Sequence, residues 1–247
     1  MHREITPAAK PDDISRPSKN METAMTPTSI LRQIYATYDS GYQRRNALFA
    51  FHRKIIQSPR VTRMLFGIEV DRAFVKNGFF DLTTLLLKWE MRARLRGFSD
   101  PKLLEIGVGR FAVLSGCLSR HVKQRIVACD FDPVAYESAK VHVHRNDLDI
   151  EVLQSDVLSA VPAGQYDLIY WNLPYYDDPE PLLSRLFEAA PAYLSDRGTM
   201  TLGFNGKPLP VATVIDIFGR YPDLEIEKVR GYWWNLHALV SIKRRSV

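Results

Sequence analysis

Residues Asn172 to Tyr176, NLPYY, set an amide, a proline and two phenol rings directly after the apolar run YDLIYW. An asparagine side chain carries one oxygen that accepts hydrogen bonds and an NH2 that donates them. Next to it, the Leu173 carbonyl is held stiff by Pro174, and Tyr175 and Tyr176 supply rings that stack on a flat guest. Two acceptors and a ring suit an amino group conjugated to a carbonyl or an aromatic system. The lone pair of such a nitrogen is spread into the π system. Two acceptors that hold its hydrogens bend it toward tetrahedral geometry and make it a better nucleophile. Asn172, Leu173, Pro174 and Tyr175 are therefore the candidate catalytic residues.

A second constellation lies upstream. The stretch LLEIGVGRFAVLSGCL places Glu105 at the end of an apolar run, then Gly107 and Gly109, then an apolar helical segment. A tight turn that a ligand approaches along its backbone needs glycine there. Gly107, Gly109 and Ala112 match the dinucleotide fingerprint, and Asp130 lies at about the 20-residue spacing of a ribose-binding carboxylate. The turn thus admits an adenosyl cofactor with or without a pyrophosphate. Glu105 argues for the one without, because its carboxylate repels a pyrophosphate but pairs with an amino-acid ammonium. That description fits S-adenosylmethionine. In SDV, Asp156 can accept from an adenine amino group while Val157 supplies an N–H.

These groups need a scaffold. Residues 1–28 carry four prolines among small and charged residues and read as a disordered tail. From 29 to 98 the apolar residues recur at helical spacing, as in ILRQIYATY, NALFAFHRKII and LTTLLLKWEMRARL. This region holds most of the positive excess, read first as the solvated face of helices and second as a surface for an anionic partner. From 99 to 247, KLLEIG, RIVACD, IEVLQ, YDLIYWN, GTMTLGFN, LEIEKVRG and WNLHALVSI alternate with amphipathic stretches. That pattern predicts a mostly parallel sheet covered on both faces, closed by an antiparallel hairpin where no room remains for a crossover helix.

Composition excludes several classes. Hydrophobic content of 46%, charged content of 25% and net charge +5 describe an ordinary globular chain. Cys117 and Cys129 are the only cysteines, which points away from a disulfide framework or metal cluster and toward a reducing compartment. No stretch reaches the apolar length of a membrane span or a signal peptide, so a cytoplasmic location without membrane contact is expected. His142 and His144, two residues apart, do not share a helix face, and no metal site is assigned.

LLEIGVGR with VACDFDP and QSDV resembles the class I S-adenosylmethionine-dependent methyltransferases over the chain from about Lys102 onward. The resemblance implies a Rossmann-like α/β fold: a seven-stranded sheet ending in an antiparallel hairpin, here preceded by a helical N-terminal region. It places Glu105, Gly107 and Gly109 at the methionine end, Asp130 at the ribose and Asp156 with Val157 at the adenine, and counts Phe131 and Asn172 among the cofactor contacts. Phe111 stands where many members carry a third glycine, and its ring is expected to reshape the turn. NLPYY is similar to the (N/D)PPY-type motif of the amino-group methyltransferases, which include enzymes acting on glutamine and on adenine. The layout is closest to the HemK-like glutamine methyltransferases of release factors.

FVKNGFFDLTTLLLKWEM resembles the stretch that lies over the cofactor in those enzymes, making Phe80 and Thr83 or Thr84, with Tyr175 and Tyr176, the candidate substrate contacts. The same stretch also reads as a plain helix start capped by Asp81. Trp233 and Trp234 are candidate pocket walls, and Asp177 and Asp178 candidate attractors of a cationic amine. A small amine or amide is the favoured acceptor, with the N-terminal helices as its lid. The alternatives are a protein glutamine or RNA adenine acceptor, a nicotinamide-dependent oxidoreductase, or a non-catalytic adenosyl- or RNA-binding module in which Phe111 closes the pocket. No oligomeric state follows from the sequence.

Overall fold

The structure is a computed structural model that describes residues 54–74, 78–174, 178–209, 211–232 and 237–245. The expected tail, most of the helical stretches before residue 54, and Tyr175, Tyr176, Asp177, Trp233 and Trp234 lie outside the described residues.

Among the described residues, α-helices α1 (Pro59–Phe66) and α2 (Leu82–Leu95) precede the sheet. Helix α1 starts where Ser58 Oγ accepts from the Val61 N–H, with Pro59 in its first turn, and stops at Gly67 in the left-handed region. Helix α2 opens with a capping box: Asp81 accepts from the Thr84 N–H, and Thr84 Oγ1 accepts from the Asp81 N–H. Each apolar run of the sequence becomes a strand: β1 (Leu103–Ile106), β2 (Ile126–Asp130), β3 (Ile150–Gln154), β4 (Tyr166–Asn172), β5 (Leu194–Asn205), β6 (Leu224–Tyr232) and β7 (His237–Arg244). Between them lie α3 (Val113–Ser119), α4 (Pro133–Arg145), α5 (Glu180–Tyr193) and α6 (Val211–Phe218).

The seven strands order as β3-β2-β1-β4-β5-β7-β6. Strands β1 to β5 pair in parallel, and β7 pairs antiparallel with both β5 and β6. This is the expected sheet with its closing hairpin. The strand order reverses between β1 and β2 on one side and β4 on the other, so the crevice at the carboxyl ends of these three strands is the natural ligand position. Ile106, Asp130 and Asn172 end those strands.

Both faces of the sheet are packed. One core joins Ile106, Trp171, Phe187, Leu202 and Val240 under α5 and α6. The other joins Leu87, Met91, Leu114, Ala139 and Tyr170 under α2, α3 and α4. A third, aromatic cluster of Phe66, Ile68, Phe79, Phe80, Phe111 and Val113 fastens the segment before α2 to α3. The Asp71 N–H donates to Nε2 of His142 at 3.2 Å, while His142 Nδ1 lies 2.8 Å from the Ser138 carbonyl. Its ring is thus neutral with the proton on Nδ1, and burial holds its pKa below the usual histidine value. The Glu69 N–H donates to Asn146 Oδ1 and Asn146 Nδ2 donates back to the Glu69 carbonyl, so the segment is fixed to α4 at several points.

Candidate active site

The turn after β1 is shaped by two glycines in the left-handed region, Gly107 at φ +67° and Gly109 at φ +65°. Around Gly109 no heavy atom lies within 4 Å of where a Cβ would stand, and its N–H donates to Asp130 Oδ2 at 2.8 Å. The second oxygen of Asp130 accepts from the Asp132 N–H at 3.0 Å. Burial raises the Asp130 pKa against these two bonds. Phe131, the next residue, is 66% exposed on the rim. Val157 follows Asp156 in a left-handed conformation of its own, at φ +52°.

Two cavities share this turn. The first, of about 580 Å³, is bordered by Gly107, Gly109, Asp130, Phe131, Asp156 and Val157, with Trp171, Asn172 and Pro174 on the β4 side. The second, of about 460 Å³, lies toward α2 and is bordered by Phe80, Asp81, Thr84, Glu105, Phe111 and Asn172 together with both glycines. The described residues named from the sequence as candidate site residues border one of them, except Thr83, which is buried with its hydroxyl 2.5 Å from His237 Nδ1, and Leu173, which is buried and donates its N–H to the Gly203 carbonyl at 2.8 Å.

Glu105 is buried and accepts from the Ser115 N–H at 3.0 Å and from the Ser115 hydroxyl. Ser115 Oγ lies 2.8 Å from the hydroxyl of the fully buried Tyr170. Burial pushes the Glu105 carboxyl up to about 8, against the two bonds from Ser115, with the charge of Asp130 adding to the rise. Near neutral pH this group awaits a cation that would draw its proton off.

Asn172 is the junction of the two cavities. Its Nδ2 donates to Asp81 Oδ1 at 3.0 Å and to Thr84 Oγ1 at 3.3 Å, while Oδ1 is buried without a partner among the described residues. A carboxylate only accepts, so the amide can face Asp81 only through its nitrogen. The oxygen is thereby left as the unsatisfied acceptor.

Phe111 departs from the sequence expectation. It does not border the first cavity; it packs edge-on against Phe79 and His142, each with ring centroids 5.0 Å away, and only edges the second. The nucleotide-sized space beside Asp130 and Asp156 stays open. The basic residues of α2 are not all on its solvated face: Lys88 is buried, and Arg94 joins Lys228 and Arg230 about the buried carboxylate of Glu90 at 3.0 to 3.2 Å. Sequence reasoning missed Arg185, which pairs with Asp156 at 3.0 Å across the first cavity, and the tie from Asp81 to Asn172. Neither carries a local signal, since the partners are 29 and 91 residues apart.

S-adenosylmethionine fits these residues. Among the described residues, Asp130, Asp156 and Asp178 border the first cavity against one cation, Arg185, a balance that disfavours a pyrophosphate. Glu105 would hold the ammonium, Asp130 the ribose hydroxyls and Asp156 the adenine, with Phe131 on the rim of the same cavity, and the open side of Gly109 admits a ligand against bare backbone.

Comparison with known proteins agrees. The profile of the methyltransferase small domain family matches residues 72–232. The ribosomal protein L11 methyltransferase of Thermosipho africanus is 33% identical over 159 residues, 64% of this chain and 54% of that protein. The ribosomal RNA small subunit methyltransferase C of Salmonella choleraesuis is 32% identical over 119 residues, 47% of this chain and 34% of that one. The chain thus spans about half of the first relative and a third of the second. Among solved structures, a methyltransferase from Pyrococcus furiosus superposes with a TM-score of 0.59 at 18% identity, over 81% of this chain and 98% of that one. The Thermus thermophilus 16S rRNA N2 G1207 methyltransferase, solved with AdoMet and guanosine, gives 0.53 at 20% identity over 67% and 44%. The oxidoreductase and non-catalytic readings fall with this match over well over half the chain: it belongs to the methyltransferase small domain family, within the class I S-adenosylmethionine-dependent methyltransferases.

Proposed function

We propose that this protein methylates an exocyclic amino nitrogen of a base in ribosomal RNA. The observation that carries the reading is Asn172, whose NH2 is committed to Asp81 and Thr84 while its buried oxygen has no partner among the described residues. A buried acceptor left unpaired is costly, and an N–H of the acceptor would satisfy it. S-adenosylmethionine, when bound, supplies an electrophilic methyl group. The residues of the chain do the rest. Asn172 Oδ1 and the Leu173 carbonyl take the hydrogens of the amino group, and Pro174 stiffens that carbonyl. Glu105 and Asp130 orient the donor end, and Tyr175, outside the described residues, is the ring that follows. From the helical N-terminal region, Ile56, Phe79, Phe80, Asp81 and Thr84 border the second cavity and serve as its lid.

A base in RNA replaces the small amine favoured from sequence for two reasons. The two curated relatives are named for ribosomal acceptors, one an RNA and one a protein. Along α2, whose first turn holds Asn172, Trp89, Arg92 and Arg96 form one exposed row at helical spacing, Trp89 being 55% exposed. An aromatic ring among arginines fits a polyanion with unstacked bases. A ribosomal protein nitrogen is the second reading, favoured by the longer alignment with the L11 methyltransferase.

The test is to supply ribosomal subunits, free ribosomal RNA and free ribosomal proteins with methyl-labelled donor. Label recovered as an N-methylated base, and lost in Asn172→Ala, supports the first reading. Label in protein selects the second. Label in neither, with transfer to small amines, overturns both.

A further inference from the structure

Asp81 caps a helix, yet the same oxygen reaches the acceptor site. Its Oδ1 accepts three hydrogen bonds: from the Thr84 N–H at 2.8 Å, from Thr84 Oγ1 at 2.9 Å and from Asn172 Nδ2 at 3.0 Å. The first belongs to the capping box, and the second is a bond between the two side chains of the same box. The third crosses from α2 to the end of β4 and is not needed to start a helix.

We infer that Asp81 is a positioning residue that selects amino acceptors by fixing which end of the Asn172 amide faces the guest. An isolated asparagine amide has two faces of opposite character, an acceptor and a double donor, nearly equal in shape. With Nδ2 turned to a carboxylate, only the oxygen is presented. The site then welcomes a guest that donates, an NH2, and rejects one that accepts, such as a carbonyl oxygen or an unprotonated ring nitrogen. A reversed amide would bring Oδ1 against Asp81 Oδ1, two acceptors at hydrogen-bond distance, and lose both bonds from Nδ2. Thr84 adds a weaker second hold at 3.3 Å. Both residues border the second cavity beside Asn172, so the selection is made at the wall of the site.

The inference rests on the amino-nitrogen reading above, and its test separates the two. Asp81→Ser keeps a good helix cap but has too short a side chain to reach Asn172. Asp81→Asn keeps an oxygen that can accept from both Thr84 and Asn172. The expected result is that D81S lowers kcat at least about tenfold, the loss of one hydrogen bond to a charged group, with S-adenosylhomocysteine affinity and Tm near wild type. D81N should recover turnover to within about threefold of wild type, since the geometry and not the charge is what matters. In 15N spectra the Asn172 side-chain amide protons should be slow to exchange in wild type and D81N and fast in D81S. Unchanged turnover and exchange in D81S would overturn the inference. So would equal losses in D81S and D81N, which would mark a role for the charge itself, or a fall of Tm and cofactor-product binding together, which would mark the cap alone. Should wild type label no acceptor at all, the functional reading fails while the exchange measurement still decides this one.

Discussion

A Cβ placed on Gly107 would stand 2.6 Å from Nε1 of Trp171, whereas one placed on Gly109 would meet nothing within 4 Å. The two glycines share a left-handed backbone but differ in what surrounds them. Gly107 lies under a rigid indole of β4, and Gly109 opens on the ligand space. Gly107→Ala should therefore cost about 1–2 kcal/mol for the backbone and about 1–3 kcal/mol more for overpacking. Gly109→Ala should cost only the backbone share, about 1–2 kcal/mol, yet weaken S-adenosylhomocysteine binding more than that share accounts for. Thermal melts and calorimetric titration of both variants check the pair. A larger Tm loss for Gly109→Ala would contradict it.

Glu105 makes stability depend on pH with a definite sign. Its folded pKa of about 8 lies above the unfolded value of 4.5, so between those values the folded chain holds a proton that the unfolded chain gives up. Its stabilising share is complete below pH 4.5, shrinks as pH rises, and is gone above about 8. The Tm of wild type relative to Glu105→Gln should fall across that window. An ammonium beside the carboxyl reverses the preference, so S-adenosylhomocysteine should bind more tightly as pH approaches 8 and should release a proton on binding at neutral pH. Titrations in buffers of different ionisation enthalpy measure that proton. An unchanged pH slope in Glu105→Gln would refute the assignment.

Asp156 and Arg185 are each about half exposed, and their ion pair contributes at most about 1 kcal/mol to stability. Its expected importance is in recognition. Asp156→Ala should leave Tm within a few degrees of wild type but should narrow the preference for adenosyl over inosyl homocysteine, because inosine offers a carbonyl where adenine offers an amino group. Competition between the two ligands reads this out, and an unaltered preference would remove Asp156 from the adenine contact.

Trp89 and Arg92 are three apart on the exposed face of α2. Burial lowers the His121 pKa, and the charges of Arg92, Lys88 and Arg120 lower it further, so cations gather on this side of the molecule. Trp89→Ala should weaken binding of an unpaired RNA strand by about 1–3 kcal/mol if a base stacks there. Arg92→Ala should reduce the salt slope of binding by about one, the mark of one lost phosphate contact. Filter binding over a salt series distinguishes the two effects, and neither change should move Tm appreciably.

The seven strands were legible because each apolar run is short and bounded, and the closing hairpin because its two runs stand close together. Gly107 and Gly109 announced their turn through backbone need. The relations that assemble the site were not legible, since they join residues distant in the chain. Nothing in DLTTLLL says that its aspartate will grip an amide at the end of β4. Phe111 was misjudged for a related reason. Sequence places it in the turn, but only the packing of Phe79 and the ring of His142 determine which way it faces. Nothing local marks Glu90 for burial either, since of the three cations about its carboxylate two, Lys228 and Arg230, arrive on β6.

One wall of the reaction chamber comes from outside the sheet. Phe79, Phe80 and Asp81 belong to a segment held by α3 and α4 through Phe111, His142 and Asn146, while the donor-side residues belong to strand ends. The consequence is evolutionary. Mutations in that outer segment can reshape the acceptor side without disturbing a strand of the sheet or the residues beside the donor. A lineage can thus alter what is methylated while retaining the means of methylating it.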